Sequence, residues 1–297
     1  MAEYVLSCCS TADLSKELLD ARHIPYVCFH FFLNGEERLD DLGITTPPKM
    51  LYDAIRAGAS TRTAQVNAEE YEAFFRPYLQ QGKDVLHVTL SSGISGTVNS
   101  ALTAANTLRE EFPERKIYIV DSLCASSGFG LLVDKLANLR DAGMGIDELY
   151  AWAEENKRRV NHWFFSTDLT TYIRGGRVSK TAGFVGGLLG ICPLLHVNNL
   201  GQLEPVAKIP SKKKVRQEMV NKMIAQAQNG PDYNEKVFLC QSDCIDDAQK
   251  VADMVAERFP KMNGKPQIFP IGGVIGSHTG PGTVALFFWT EKPDRQR

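Results

Sequence analysis

The stretch Asp84-Val85-Leu86-His87-Val88-Thr89-Leu90-Ser91-Ser92-Gly93-Ile94-Ser95-Gly96-Thr97-Val98-Asn99-Ser100-Ala101 decides the fold. Its first six residues form an apolar run of strand length, and an Ala- and Leu-rich helical pattern runs on to about Phe112. Between the two lies a Ser-Gly loop. A strand that stops at such a loop and restarts as a helix turns unpaired N–H groups and hydroxyls into one crevice. The positive end of the helix dipole stands behind them, so the crevice suits an anion. The same residues also serve as an ordinary capped strand-to-helix turn. What favours an anion site is company: Arg62-Thr63-Ala64-Gln65 upstream and Gly276-Ser277-His278-Thr279-Gly280-Pro281-Gly282 near the C-terminus.

Working outward, strand and helix patterns alternate. Tyr4 to Leu6 reads as a strand, Ser10 to Asp13 as a cap, and Leu14 to Arg22 as a helix. Ile24 to Leu33 is strand-like and ends at the turn signal Asn34-Gly35-Glu36. A helix over Lys49 to Ala57 and a polar extended segment over Ser60 to Asn67 follow, then a helix over Glu69 to Gln81. Lys116 to Ser122 is a further buried-strand run, and Ser126 opens a helix continuing through Leu139. Gly128-Phe129-Gly130 is not a dinucleotide fingerprint, because Val133 stands where the third glycine is needed; its glycines suit close helix packing on a sheet. This alternation predicts an α/β chain whose N-terminal domain, residues 1–160, holds a parallel sheet.

Ile146 to Val160 reads as a charged amphipathic helix bridging to a second α/β domain, residues 161–297, with a mixed sheet. There His162 to Ser166 is a strand and Leu169 to Ile173 a short helix. Pro193 to Val197 and Leu203 to Ala207 form a hairpin, and Ser211 caps a helix reaching Ala227. A β-α-β run follows over Val237 to Gln241, Ile245 to Phe259 and Gln267 to Phe269. Gly272 to Gly282 reads as the last loop, and Thr283 to Phe288 as a closing strand.

Composition narrows the function. A chain of 297 residues suffices for two modest cores. A net charge of -2 gives no electrostatic case for nucleic acid. No apolar run reaches transmembrane length, and the N-terminus lacks the basic and apolar regions of a signal peptide, so a cytoplasmic protein is expected. The seven cysteines contain no Cys-x-x-Cys pair and read as buried thiols; with no His-Glu-x-x-His either, no metal site is expected. Ala182 to Ile191 is apolar with four glycines, a poor rigid helix but a good wall for an acyl tunnel. Phe184, Val185, Leu188, Leu189 and Ile191 are its candidate lining residues.

Four ordered blocks carry a resemblance: Thr63-Ala64-Gln65, Ser91 to Thr97, Arg174-Gly175-Gly176-Arg177-Val178-Ser179, and His278-Thr279-Gly280-Pro281-Gly282-Thr283. Together they resemble the signature blocks of the DegV family, bacterial fatty-acid-binding proteins, in order from about residue 4 to about residue 289. The resemblance implies a two-domain DegV-like fold that buries one long-chain fatty acid and has no other cofactor. It also implies that Thr63, Ser95 and His278 meet the carboxylate, with backbone N–H groups of Ser95 and Gly96. Ser10, Ser92 and Thr279 are candidates to support them. Such proteins serve as the lipid-presenting component of a fatty acid kinase, in which a separate ATP-dependent subunit phosphorylates the carboxyl group. Arg174 and Arg177 would then form a cationic rim for that partner, consistent with the missing Gly-x-x-x-x-Gly-Lys loop. The chain departs from the family pattern at Cys9, where an acid is usual, and at Val66, where proline is usual. The rival reading is a serine acyl hydrolase with Ser95 as nucleophile and His278 as base. It lacks the second glycine of a nucleophile elbow, replaced by Thr97, and an identifiable orienting acid.

Overall fold

The computed structural model describes residues 4–179 and 190–295. The apolar runs become strands and the periodic runs become helices, in the order β1 (Tyr4–Cys9), α1 (Lys16–Ala21), β2 (Tyr26–Val27), β3 (His30–Leu33), β4 (Glu36–Leu39), α2 (Pro48–Arg56), β5 (Thr61–Ala64), α3 (Ala68–Gln80), β6 (Asp84–Thr89), α4 (Thr97–Glu111), β7 (Ile117–Asp121), α5 (Ser126–Asp141) and α6 (Ile146–Asn156). The chain continues with β8 (Val160–Phe165), α7 (Thr170–Arg174), β9 (Ile191–Val197), β10 (Leu203–Pro210), α8 (Lys212–Gln226), β11 (Phe238–Gln241), α9 (Ile245–Arg258), β12 (Gln267–Pro270), α10 (Gly273–Thr279) and β13 (Val284–Trp289).

Strands β2-β1-β6-β7 form a parallel four-stranded sheet, as the alternating pattern predicts. The C-terminal sheet is mixed and six-stranded, ordered β10-β9-β8-β13-β11-β12. Its β11–β12 pair is parallel and its other pairs are antiparallel. A third sheet, β4-β3-β5, is small and antiparallel; the Asn34-Gly35 turn signal marks its β3–β4 turn, while nothing in the pattern announces β5 as a strand. The expected strand Ile24 to Leu33 is split: Tyr26–Val27 joins the parallel sheet, while His30–Leu33 turns away to pair with β4 and β5. The polar extended segment thereby becomes a strand that carries Thr63 into the molecule.

Three other expectations need correction. The helix expected from Leu14 starts at Lys16, because Ser10–Ala12 forms a 3-10 turn closed by Asp13 in the left-handed region (φ 46°). The bridging helix ends at Asn156, since Val160 is already paired with Trp289 in the second sheet. The supposed last loop contains α10, with His278 in its final turn. Glycine is a poor helix former, yet Asp13 accepts from the Gly272 N–H (3.0 Å) and Asp40 from the Gly273 N–H (2.9 Å). These two buried carboxyls satisfy the N–H groups of the N-cap, Gly272, and of the first helical residue, Gly273. The glycines beyond it do make a turn, at Gly280 (φ 65°) and Gly282 (φ 89°).

Helix α5 joins the two halves, as it belongs to the N-terminal run but packs on β8, β11 and β13. Gly128 explains the close approach: a Cβ there would collide with His162 Nε2 and with Phe287 (Cδ1 at 2.6 Å). The opposite face of the six-stranded sheet is covered by α8, where Trp163 Nε1 donates to Gln226 Oε1 (2.8 Å) and the Trp163 ring stacks on His196.

Candidate functional site

In strands, alternate residues share a face. In register, His162 opposes Phe287, Phe164 opposes Ala285, and Cys240 also opposes Ala285. On the outer pair, Leu203 opposes Val197. All seven residues line one cavity of about 420 Å³ between this sheet face and the loops of the N-terminal half. Phe29, Leu90, Ile94, Val274 and Ile275 close the apolar part from the other side.

The polar end is built from three distant places. Strand β5 delivers Thr63, the loop before α4 delivers Ser95, and α10 delivers His278 and Thr279; all four line the cavity. Thr63 Oγ1 lies 2.8 Å from His278 Nε2. Ser95 Oγ accepts from the Thr97 N–H (3.3 Å), which leaves its own proton free to donate. Burial, reinforced by the positive charges of Arg177 and Arg174, pushes His278 down to about 4, so the imidazole is neutral at pH 7. Its Nδ1 has no hydrogen-bond partner among the described residues and faces Gly175, where any Cβ would strike it.

Arg177 lines the cavity and is half-buried: Nε donates to Ile94 O (3.2 Å) and Nη1 to Gly175 O (2.7 Å). It ties the end of α7 to the Ser95 loop. Arg174 is exposed, reaching Thr61 Oγ1 at 3.5 Å.

Four other expected residues, Ser10, Ser92, Gly96 and Ile191, lie off the cavity. Gly96 is exposed at the N-cap of α4; a Cβ there would come within 2.9 Å of Gln65 Oε1, so its place is to let Gln65 approach. Ser92 is exposed and off the cavity, its N–H bonded to Asp121 Oδ1 (3.1 Å), because the loop turns it outward. Ser10 is buried one layer back, accepting from the Phe29 N–H (3.1 Å) and donating to Asp40 Oδ2 (3.4 Å). Ile191 sits on β9 opposite Pro210 and is absent from the cavity lining; Phe184, Val185, Leu188 and Leu189 lie outside the described residues. Among the described residues the apolar lining includes the sheet face. Its signal was hidden because β8 and β13 are buried on both faces and read as unbroken apolar runs.

Sequence reading also missed Tyr172 and Thr283, which line the cavity with their hydroxyls 2.8 Å apart, and Ser126, whose hydroxyl bonds the buried Asp13 carboxyl. The arrangement expected of a hydrolase is not formed: His278 Nε2 engages Thr63, not Ser95, and no acid among the described residues bonds Nδ1. Among the described residues, no cluster of His, Cys, Asp and Glu could hold a metal, and no helix is long and apolar enough to cross a membrane.

Known proteins share this organisation. A family profile for DegV proteins matches residues 9–291. The chain belongs to the DegV family. A DegV domain-containing protein of Clostridium perfringens is 38% identical over 288 residues, 97% of this chain and 98% of its own. Among solved structures, a fatty-acid-binding DegV family protein from Thermus thermophilus superposes with a TM-score of 0.84 at 27% identity, covering 97% of this chain and 99% of that one. The Streptococcus pneumoniae fatty acid kinase (Fak) B3 protein, loaded with linoleic acid, shares the fold: TM-score 0.83 at 22% identity, covering 98% of this chain and all of the other. DegV proteins of known structure therefore include fatty-acid binders with this α/β architecture.

Proposed function

We propose that this chain encloses one long-chain fatty acid and presents its carboxylate to a separate ATP-dependent kinase subunit. The observation that carries the reading is an apolar cavity with one polar end, where Thr63, Ser95 and His278 converge. A fatty acid makes both demands at once. Its tail gains ~0.8 kcal/mol for each methylene removed from water. Its carboxylate needs several donors when buried. Ser95 Oγ and Thr63 Oγ1 supply hydroxyl protons, His278 a polarising imidazole, and Arg177 a nearby positive charge.

In this reading the domains are residues 1–160 and 161–297 with the ligand between them, and the protein acts in the cytoplasm. It has no cofactor and is not catalytic alone. Arg174, exposed beside the polar end, and Arg177 behind it meet the phosphate-bearing partner. The fatty acid kinase (Fak) B3 neighbour supports a kinase partner. Native mass spectrometry of the purified chain, with extraction of bound lipid, tests the ligand: one fatty acid per chain is expected, and a chain that neither carries nor takes up fatty acid would refute the reading. Adding a fatty acid kinase ATP-binding subunit with ATP should then yield acyl phosphate only when this chain is present.

A further inference from the structure

The Ser95 loop has no cap of its own: Gly96, the N-cap of α4, offers no side chain to the first turn. Besides the Arg177 tie to Ile94 O, a buried chain of polar side chains holds the helix end of the loop. One of them is the Cys9 thiol, at the end of β1. The same sulfur lies 3.3 Å from the Tyr71 hydroxyl, in α3. Tyr71 OH in turn lies 2.7 Å from Thr97 Oγ1, and the Thr97 N–H reaches Ser95 Oγ at 3.3 Å. Behind them, His87 joins Cys9 (Nε2, 3.5 Å) to Ser7 (Nδ1, 2.9 Å). Ser7, Cys9, Tyr71, His87 and Thr97 are all fully buried. The helix end of the loop, at Thr97, is thus tied through Tyr71 to one buried thiol.

We propose that Cys9 and Tyr71 are positioning residues that clamp the Thr97 end of the Ser95 loop and fix the direction in which the Ser95 hydroxyl donates. The inference rests on the reading of the cavity as a fatty-acid site. Its physical basis is donor accounting. Ser95 Oγ already accepts the Thr97 N–H, so its single proton is directed away from α4, toward the cavity it lines. If Thr97 shifts, that direction is lost, and Thr97 Oγ1 is held by Tyr71 alone among the described residues. Tyr71 has little freedom to move, being packed edge-on against His87 (5.3 Å between ring centres) and stacked with Phe75 (5.6 Å). Burial keeps the Cys9 thiol protonated, so the clamp is neutral and places no charge near the ligand carboxylate.

The test is a double-mutant cycle on the delipidated full-length chain, read as affinity for a fluorescent fatty acid. Tyr71→Phe and Thr97→Val should each weaken binding about three- to tenfold, the scale of one lost buried hydrogen bond. The decisive readout is coupling. Tyr71→Phe should cost nothing more once Ser95→Ala is present, yet keep its full effect beside Thr63→Ala. Cys9→Ser, which can still accept and donate, should restore most of the affinity lost in Cys9→Ala. Full additivity of Tyr71→Phe with Ser95→Ala overturns the positioning role while leaving the head-group reading intact. Unchanged affinity in Ser95→Ala itself overturns the head-group reading, and this inference with it. If Tyr71→Phe fails to fold, Thr97→Val carries the same cycle.

Discussion

The two ends of the cavity are built in opposite ways. In the proposed reading the tail wall comes from one face of one sheet, where neighbouring strands place Phe164, Ala285 and Cys240 side by side. The head end gathers Thr63, Ser95 and His278 from a strand edge, a loop and a short helix, 215 positions apart at the extreme. A wall made of apolar area is non-directional, and its contribution scales with surface removed from water. A head site made of hydrogen bonds depends on ångström placement. The wall should therefore fail by volume, and the head by displacement.

Filling the wall is the harshest test of that contrast. Ala285→Phe puts an aromatic ring between Phe164 and Cys240 and should displace about four methylenes. At ~0.8 kcal/mol each that is about 3 kcal/mol, or roughly two orders of magnitude in affinity for a long-chain acid. Short-chain acids should lose much less; equal loss for both would show that the sheet face is not the tail wall. At the head end, Thr63→Ala or His278→Ala should weaken retention by about tenfold regardless of chain length. Gly175→Ala should mimic His278→Ala without touching the ligand, since the new methyl strikes Nδ1; wild-type binding in Gly175→Ala would break the displacement rule. Arg174→Glu should lower acyl-phosphate formation with the kinase subunit and change lipid affinity only about twofold or less. Equal losses in both measurements would argue against a role at the partner interface.

The smallest expected effect compares the two ends of α10. His278, near its C-terminus, is pushed down from 6.5 to about 4 by burial and then by Arg177 and Arg174. Between those values the unfolded chain binds more protons, so this group's stabilisation is lost on acidification. Asp40, at the N-terminus of the helix, is pushed up from 3.8 to about 6, mainly by burial and despite its bond to the Gly273 N–H. There the folded chain binds more protons, so stability falls as pH rises through that window. The two slopes oppose each other. Asp40→Asn should remove one of them and steepen the acid loss of stability between about pH 6.5 and 4, followed by thermal unfolding of the ligand-free chain. A shallower acid limb in the variant would contradict this pair of opposed slopes.

Much of the fold was legible because its evidence is local. Residues 84–101 announce a strand, a Ser-Gly loop and a helix in order, and repetition of that unit is enough to imply a parallel sheet. The third strand of the small sheet was not legible, since Thr61–Ala64 is polar and becomes a strand only by pairing with β3. The glycine-rich stretch before Gly280 misleads for the same kind of reason: intrinsic propensity says loop, while two buried carboxyls some 230 to 260 positions away hold a helix.

Sequence by itself determined which residue types were available: two hydroxyls and an imidazole among glycines, and long apolar strands without a metal or nucleotide motif. Tertiary structure alone decided that Thr63 Oγ1 touches His278, that the inner face of β8 and β13 lines the cavity, and that Cys9 and Tyr71 stand behind Ser95. The physical reason is range. Backbone propensity and apolar periodicity act over a few residues and are written in consecutive letters. Hydrogen bonds between side chains, and the choice of which apolar face meets a cavity, depend on how separately formed elements pack.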